Sequence, residues 1–150
     1  MSETSENSST DETQTYQPKF DADGLMPAMV IEAGSGTPLM MAFVNQDAID
    51  QTLATGYATF WSRSRQKYWQ KGETSGNRLK LTDLLIDCDQ DSLVMLVTME
   101  GDEAACHTGR RSCYYRSLAA GEATMAGEAP LTLTFNDNKR LFDPNSVYKK

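Results

Sequence analysis

The sequence predicts an α+β fold: a mostly antiparallel, curved β-sheet with one helix, in a small single domain. Three observations lead there. Short apolar runs rich in Val, Ile, Leu, Met and aromatic residues are separated by Gly- and Asp-containing turns. Only one segment carries helix signals at both ends. A chain of 150 residues is long enough for one hydrophobic core and too short for two.

In chain order, residues 1–17 are rich in Ser, Thr and Glu with little to bury, which predicts a disordered acidic tail. "LMPAMVI" (Leu25 to Ile31) and "LMMAFV" (Leu39 to Val44) read as strands joined by the turn "EAGSGTP". In "NQDAIDQTLATG", Asn45 suits an N-cap and Asp47 a first turn. Ala48, Ile49 and Leu53 share a helical face, and Gly56 suits the stop. "YATFWSRSR" alternates as a strand with Arg63 and Arg65 on one face, and "KGETSGN" (Lys71 to Asn77) reads as a loop. Leu79 to Ile86 and Leu93 to Met99 are β-rich runs around the acidic turn Asp87 to Asp91. "CYYRSL" is a further strand candidate. Ala119 to Pro130 is a small-residue connector, and "LTLTF" (Leu131 to Phe135) a last short strand. The domains expected are a tail at 1–17, a folded body at 18–118 and an extension at 119–150 packing on that body.

Charge narrows the function. A net charge of −7 argues against nucleic-acid binding, which rests on clustered Lys and Arg. The bases are nevertheless concentrated, with nine of the fourteen between Arg63 and Arg116. A locally basic pocket in an acidic protein suits a small anionic ligand. No apolar run approaches the ~20 residues that span a bilayer, and no signal peptide is visible. The expected location is cytoplasmic, where thiols stay reduced.

Cys88, Cys106 and Cys113 are an odd set, with seventeen and six residues between them. Burial as small apolar groups is one reading. Metal ligation is the other, favoured because Cys88 lies between Asp87 and Asp89 and Cys106 abuts His107. Three thiolates leave a fourth position open, as in a catalytic zinc site; with His107 as fourth ligand the site would be closed and structural. In "DCDQD", an extended backbone places Asp87, Asp89 and Asp91 on one face and Cys88 on the other. They are either a solvated hairpin tip or oxygen ligands for a hard cation such as Mg2+ or Ca2+. His107, the only histidine, is open to a proton-transfer role or a hydrogen-bonding role beside a metal. Arg63, Arg65, Arg110 and Arg111 offer forked donors for phosphate, and Thr74 and Ser75 offer hydroxyls. Trp61, Tyr68 and Trp69 either stack on a base or fill the core.

"FWSRSRQKYWQKGETSGN", "IDCDQDSLVMLV" and "ACHTGRRSCYYR", in this order and spacing, closely resemble phosphoribosyl-AMP cyclohydrolase. "GLMPAMV" and "LMMAFVNQDAIDQTLATGYATFWSRSR" resemble that family's opening segments, so the likeness spans about Gly24 to Arg116. "IEAGSGTP" departs from it, being longer than the family's segment there.

The resemblance implies hydrolytic opening of the N1–C6 bond of the adenine ring of phosphoribosyl-AMP, a step of histidine biosynthesis. It implies Zn2+ and Mg2+ as cofactors, with a zinc-activated water as nucleophile. It further implies an intertwined homodimer in which Cys88 of one chain meets Cys106 and Cys113 of the other. Asp87, Asp89 and Asp91 would hold Mg2+, and His107 would transfer the proton. Arg63, Arg65, Thr74, Ser75, Arg110 and Arg111 would meet the two phosphates. Some relatives carry a fused phosphoribosyl-ATP pyrophosphohydrolase domain. The 32 residues after Leu118 are too few for it, so the monofunctional form is expected.

Overall fold

The computed structural model describes residues 9–118 and 131–148. Its centre is a six-stranded mixed sheet ordered β4-β3-β2-β1-β6-β5. The strands are β1 (Met26–Glu32), β2 (Pro38–Val44), β3 (Thr59–Ser62), β4 (Lys67–Gln70), β5 (Leu79–Ile86) and β6 (Leu93–Met99). A separate two-stranded ladder joins β7 (Arg116–Ser117) to β8 (Thr134–Phe135). The helices are α1 (Ser9–Glu12), α2 (Gln46–Thr55) and α3 (Pro144–Val147), of which α1 and α3 are single turns.

The α+β expectation holds, with one change to the sheet. β1 and β6 pair in parallel, Ala28 opposite Leu93, whereas every other pairing is antiparallel. Both strands are interior to the sheet and rich in apolar residues. Ala28 and Val30 of β1 and Leu93, Met95 and Val97 of β6 are buried at alternate positions, as a sheet with one covered face requires. Leu39, Val44, Ile49, Phe60 and Leu79 complete this core. Each such side chain contributes about 1.5–3 kcal/mol on full burial.

Helix α2 starts and stops where its caps dictate. The Asn45 side chain accepts from the Ala48 amide at 2.9 Å, and the Gly56 amide donates to the Thr52 carbonyl at 2.9 Å. Thr52, fully buried, accepts the Thr59 amide and donates to the Ala48 carbonyl, so helix and strand β3 share one satisfied hydroxyl.

β3 ends at Ser62, before the arginines expected on it. The Gln66 amide donates to the Ser62 carbonyl at 2.8 Å and Gln66 takes φ 54°, closing a tight turn that holds Arg63 and Arg65. The chain then returns as β4, with Phe60 opposite Trp69 and Trp61 opposite Tyr68. The "CYYRSL" and "LTLTF" strands shorten to two residues each, because they pair only with one another.

Of the acidic tail, residues 1–8 lie outside the described residues. Further on, the Gln17 amide donates to Gln90 Oε1 and the Lys19 amide to the Gln90 carbonyl. The boundary expected at 17/18 therefore falls inside a hydrogen-bonded stretch. The connector expected at 119–130 also lies outside the described residues. No helix among those described is long and apolar enough to cross a membrane.

Candidate active site

Two loops carry the cysteines and aspartates expected to ligate metals, and these side chains form no single group. In the first, residues 105–111 close on themselves: the Ala105 amide donates to the Arg111 carbonyl, Cys106 to Arg110, and Gly109 to Cys106. The next turn is tied to the sheet, since the Cys113 amide donates to the Leu39 carbonyl and the Ser112 hydroxyl to the Pro38 carbonyl. This folding brings Cys113 and Cys106 into thiol contact. The Cys113 hydrogen bond, assisted by Thr108 at 3.0 Å, pulls the Cys106 thiol down to about 5 against the effect of burial. The same contact, with burial, pushes Cys113 up.

The second loop is the β5–β6 turn. Asp87, Asp89 and Asp91 lie in the acidic turn expected there, not on an extended backbone. Gln90 adopts φ 59° and its amide donates to the Asp87 carbonyl, so a turn gathers the three carboxylates. Their oxygens lie within 4.8 Å of one another, the one such group of three or more His, Cys, Asp or Glu among the described residues. Burial opposes ionisation of Asp87, but hydrogen bonds from Ser92 and Asp91 outweigh it and hold the carboxyl below its usual range. Asp87 and Asp89 push Asp91 upward. An all-oxygen set of this kind suits a hard cation such as Mg2+.

Cys88 sits exposed in that same acidic turn, and the three cysteines make no common group within one chain. The Cys106–Cys113 pair alone supplies two soft donors of the kind zinc takes; a tetrahedral zinc needs more.

His107 opens onto a cavity of about 440 Å3 whose other walls include Arg65, Lys67, Lys71, Thr74, Ser75 and Tyr148. The loop bearing Thr74 and Ser75 is tight. Gly72 has φ 88°, and a Cβ there would lie 2.5 Å from the Arg78 nitrogen, so only glycine fits. Lys71 was not singled out from the sequence. Burial lowers its pKa, while the charge of Cys113 and Cys106 acts to raise it.

The four arginines divide. Arg65 lines the His107 cavity. Arg63, two residues away, lies over the Phe43 ring at 3.9 Å and borders other openings. Arg110 is buried, donates to Asn138 and stacks over Tyr115 at 4.6 Å. Arg111 donates to both Glu32 oxygens at 2.5–2.6 Å and lies 3.6 Å from Glu103. Neither Arg110 nor Arg111 lines the cavity around His107. Of the aromatics, Trp69 lines that cavity and packs on Phe60 at 5.0 Å, while Trp61 and Tyr68 pack edge to face at 4.8 Å.

Residues 40–115, which contain both loops and the cavity hairpin, match the family model described as phosphoribosyl-AMP cyclohydrolase. The chain belongs to this family. Proteins named phosphoribosyl-AMP cyclohydrolase are similar along nearly its whole length. That of Nitrobacter winogradskyi is 44% identical over 99% of this chain and 98% of its own. That of Bradyrhizobium diazoefficiens is 46% identical over 93% and 94%, and that of Chelativorans sp. 49% over 75% and 81%. Family membership makes the chain a hydrolase. The family model stops at residue 115, so Tyr148, which shares the cavity with His107, lies beyond the matched region.

Proposed function

We propose that this chain opens the N1–C6 bond of the adenine ring of 1-(5-phosphoribosyl)-AMP by hydrolysis, a step of L-histidine biosynthesis. The observation that carries the reading is the joint placement, in a member of this family, of His107 beside Cys106 and at the mouth of a basic cavity.

The donor chemistry fits two metals. Cys106 and Cys113, with Cys88 from a second copy, would hold Zn2+, and Asp87, Asp89 and Asp91 would hold Mg2+. When bound, zinc supplies acidification of a water, from a pKa of ~16 toward ~7. The rest falls to this chain's own side chains. Arg65, Lys67 and Lys71 attract the phosphates, and Thr74 and Ser75 give them hydroxyl donors. Ribosylation at N1 makes the purine cationic and C6 electrophilic. As water oxygen adds to C6, the His107 imidazole takes one of its protons and returns it to N1 when the N1–C6 bond breaks. The other leaves the C6 hydroxyl for solvent as the C=O forms, discharging the purine's positive charge. C6 keeps its exocyclic amine and becomes a carboxamide.

A homodimer follows from the same reading. Its supports are the isolation of Cys88 from the other two thiols and the exposure of Met41, Leu53, Leu85, Leu131 and Leu133. The location proposed is the cytoplasm. The test is direct: purified protein, supplied with zinc and magnesium, is followed by absorbance during ring opening, with and without chelator. Turnover that the chelator abolishes is expected. A folded, metal-loaded protein that leaves phosphoribosyl-AMP intact would overturn the assignment.

A further inference from the structure

The segment from β8 to α3 crosses the Cys106–Cys113 loop and fastens to it at several points. The Leu141 amide donates to the Gly109 carbonyl at 2.7 Å, and the Asn136 amide to the Tyr115 carbonyl at 2.8 Å. Tyr115 stacks on Phe135 at 5.9 Å, and Arg110 lies over both rings while donating to Asn138. Gly109 has no room for a side chain because the Phe142 carbonyl passes directly over it. The segment is thus built against the loop along its length.

Its end reaches the cavity. Asp143 caps α3 by accepting the Asn145 amide at 3.0 Å, and the Tyr148 amide closes the turn on the Pro144 carbonyl at 2.8 Å. The Tyr148 ring then rests 6.1 Å from Phe142, centroid to centroid, and lines the cavity with His107. The cavity walls differ in kind. The β3–β4 hairpin and the loop after it bring Arg65, Lys67, Lys71, Thr74 and Ser75, which suit an anion, with Glu73 and the Phe60-packed Trp69 among them. The rest of the lining, His107 from the thiol loop and Tyr148 from the segment bound to that loop, brings no fixed positive charge and one aromatic ring.

We propose that Tyr148 is a substrate-positioning residue whose ring forms the wall against which the reacting purine stacks. The C-terminal segment is then part of the site. This rests on the cyclohydrolase reading above and deepens it: the phosphates go to the basic wall and the base to the tyrosine. A tyrosine presents a flat π face with few rotatable bonds, and stacking of a base on such a face carries roughly fivefold or more in affinity. The ring, rather than the hydroxyl, supplies the effect.

The experiment compares full-length, zinc- and magnesium-loaded wild type with Tyr148→Phe, Tyr148→Ala and Tyr148→Leu. Thermal unfolding and zinc content are measured beside kcat and KM. Tyr148→Phe is expected to match wild type, whereas Ala and Leu raise KM roughly fivefold or more with kcat within about twofold, as for a lost ground-state contact. Leucine keeps apolar bulk, so it separates loss of the aromatic face from loss of packing. KM unchanged in Ala and Leu, or a Leu variant equal to Phe, overturns the proposal while leaving the enzyme assignment standing. Absence of turnover in loaded wild type overturns the assignment and this inference with it.

Discussion

A Cβ on Gly109 would lie 2.5 Å from the Phe142 carbonyl oxygen, and Gly109 has φ 92°. Two independent demands thus fall on one residue: a left-handed backbone, and clearance for a segment that comes from 33 positions further on. Gly109→Ala meets neither. The expected loss is about 1–3 kcal/mol, from backbone strain and displacement of the crossing segment. Thermal unfolding should show it, and if the thiol loop holds zinc as proposed, zinc affinity should fall with it. A variant as stable and as zinc-competent as wild type would contradict the packing described.

If Cys88 completes the zinc site of a second copy, Cys88→Ser and Cys106→Ser should each be inactive alone yet complement one another when mixed. Random re-pairing gives heterodimers in about half the dimers, each with one site intact and one lacking both cysteines, so about a quarter of wild-type activity should return. Activity that stays at zero after unfolding and refolding the mixture would exclude a shared site.

The thiol pair gives a pH prediction for chelator-treated protein. Cys106 is depressed to about 5, so its thiolate should persist in the folded state until pH falls through that value. The sign is that of an acid stabilised in its ionised form. The contribution to stability is complete above the unfolded thiol pKa of ~8.5 and is lost as pH drops through the folded one. Thiolate ultraviolet absorbance should therefore fade near pH 5. In Cys113→Ala, which removes the main donor, the same transition should move toward higher pH. A midpoint that does not move would show that Cys113 is not the cause.

Arg65 and Arg111 should behave in opposite ways. Arg111→Lys loses the fork that meets Glu32 through Nη2 and Glu103 through Nη1, and because the arginine is partly exposed the loss is about 1 kcal/mol. That is a fall of about 2–8 °C in Tm, with KM little changed. Arg65→Ala, at the cavity rim, should raise KM about tenfold or more and weaken its dependence on salt, with Tm unchanged. The reverse pattern would return Arg111 to the phosphates.

What could be read from the sequence was local. Helix α2 announces itself because Asn45 and Gly56 act on backbone groups within four residues of themselves. The β5–β6 hairpin is legible from two apolar runs around acidic residues. The end of β3 is not, because its turn uses Gln66 at positive φ instead of the glycine that would have marked it. The thiols and carboxylates stand out as motifs, and the acidic turn is legible, but how its carboxylates gather depends on Gln90 at positive φ. Arg110 and Arg111 look free in sequence, whereas their partners Asn138 and Glu32 lie 28 and 79 positions away. Lys71 and Tyr148 reach the cavity through tertiary contacts, with no local pattern to mark them.

The parallel pairing of β1 with β6 has a consequence for synthesis. Ala28 meets Leu93 only after 65 further residues have been made. At about 5–20 residues per second, one edge of β1 waits roughly 3–13 seconds for its partner. Ribosome-bound chains halted just short of Leu93 should accordingly be open to protease, and chains extended well past Met99 resistant. Until then the growing chain exposes an adhesive edge, and its yield in the cell depends on how well that interval is shielded.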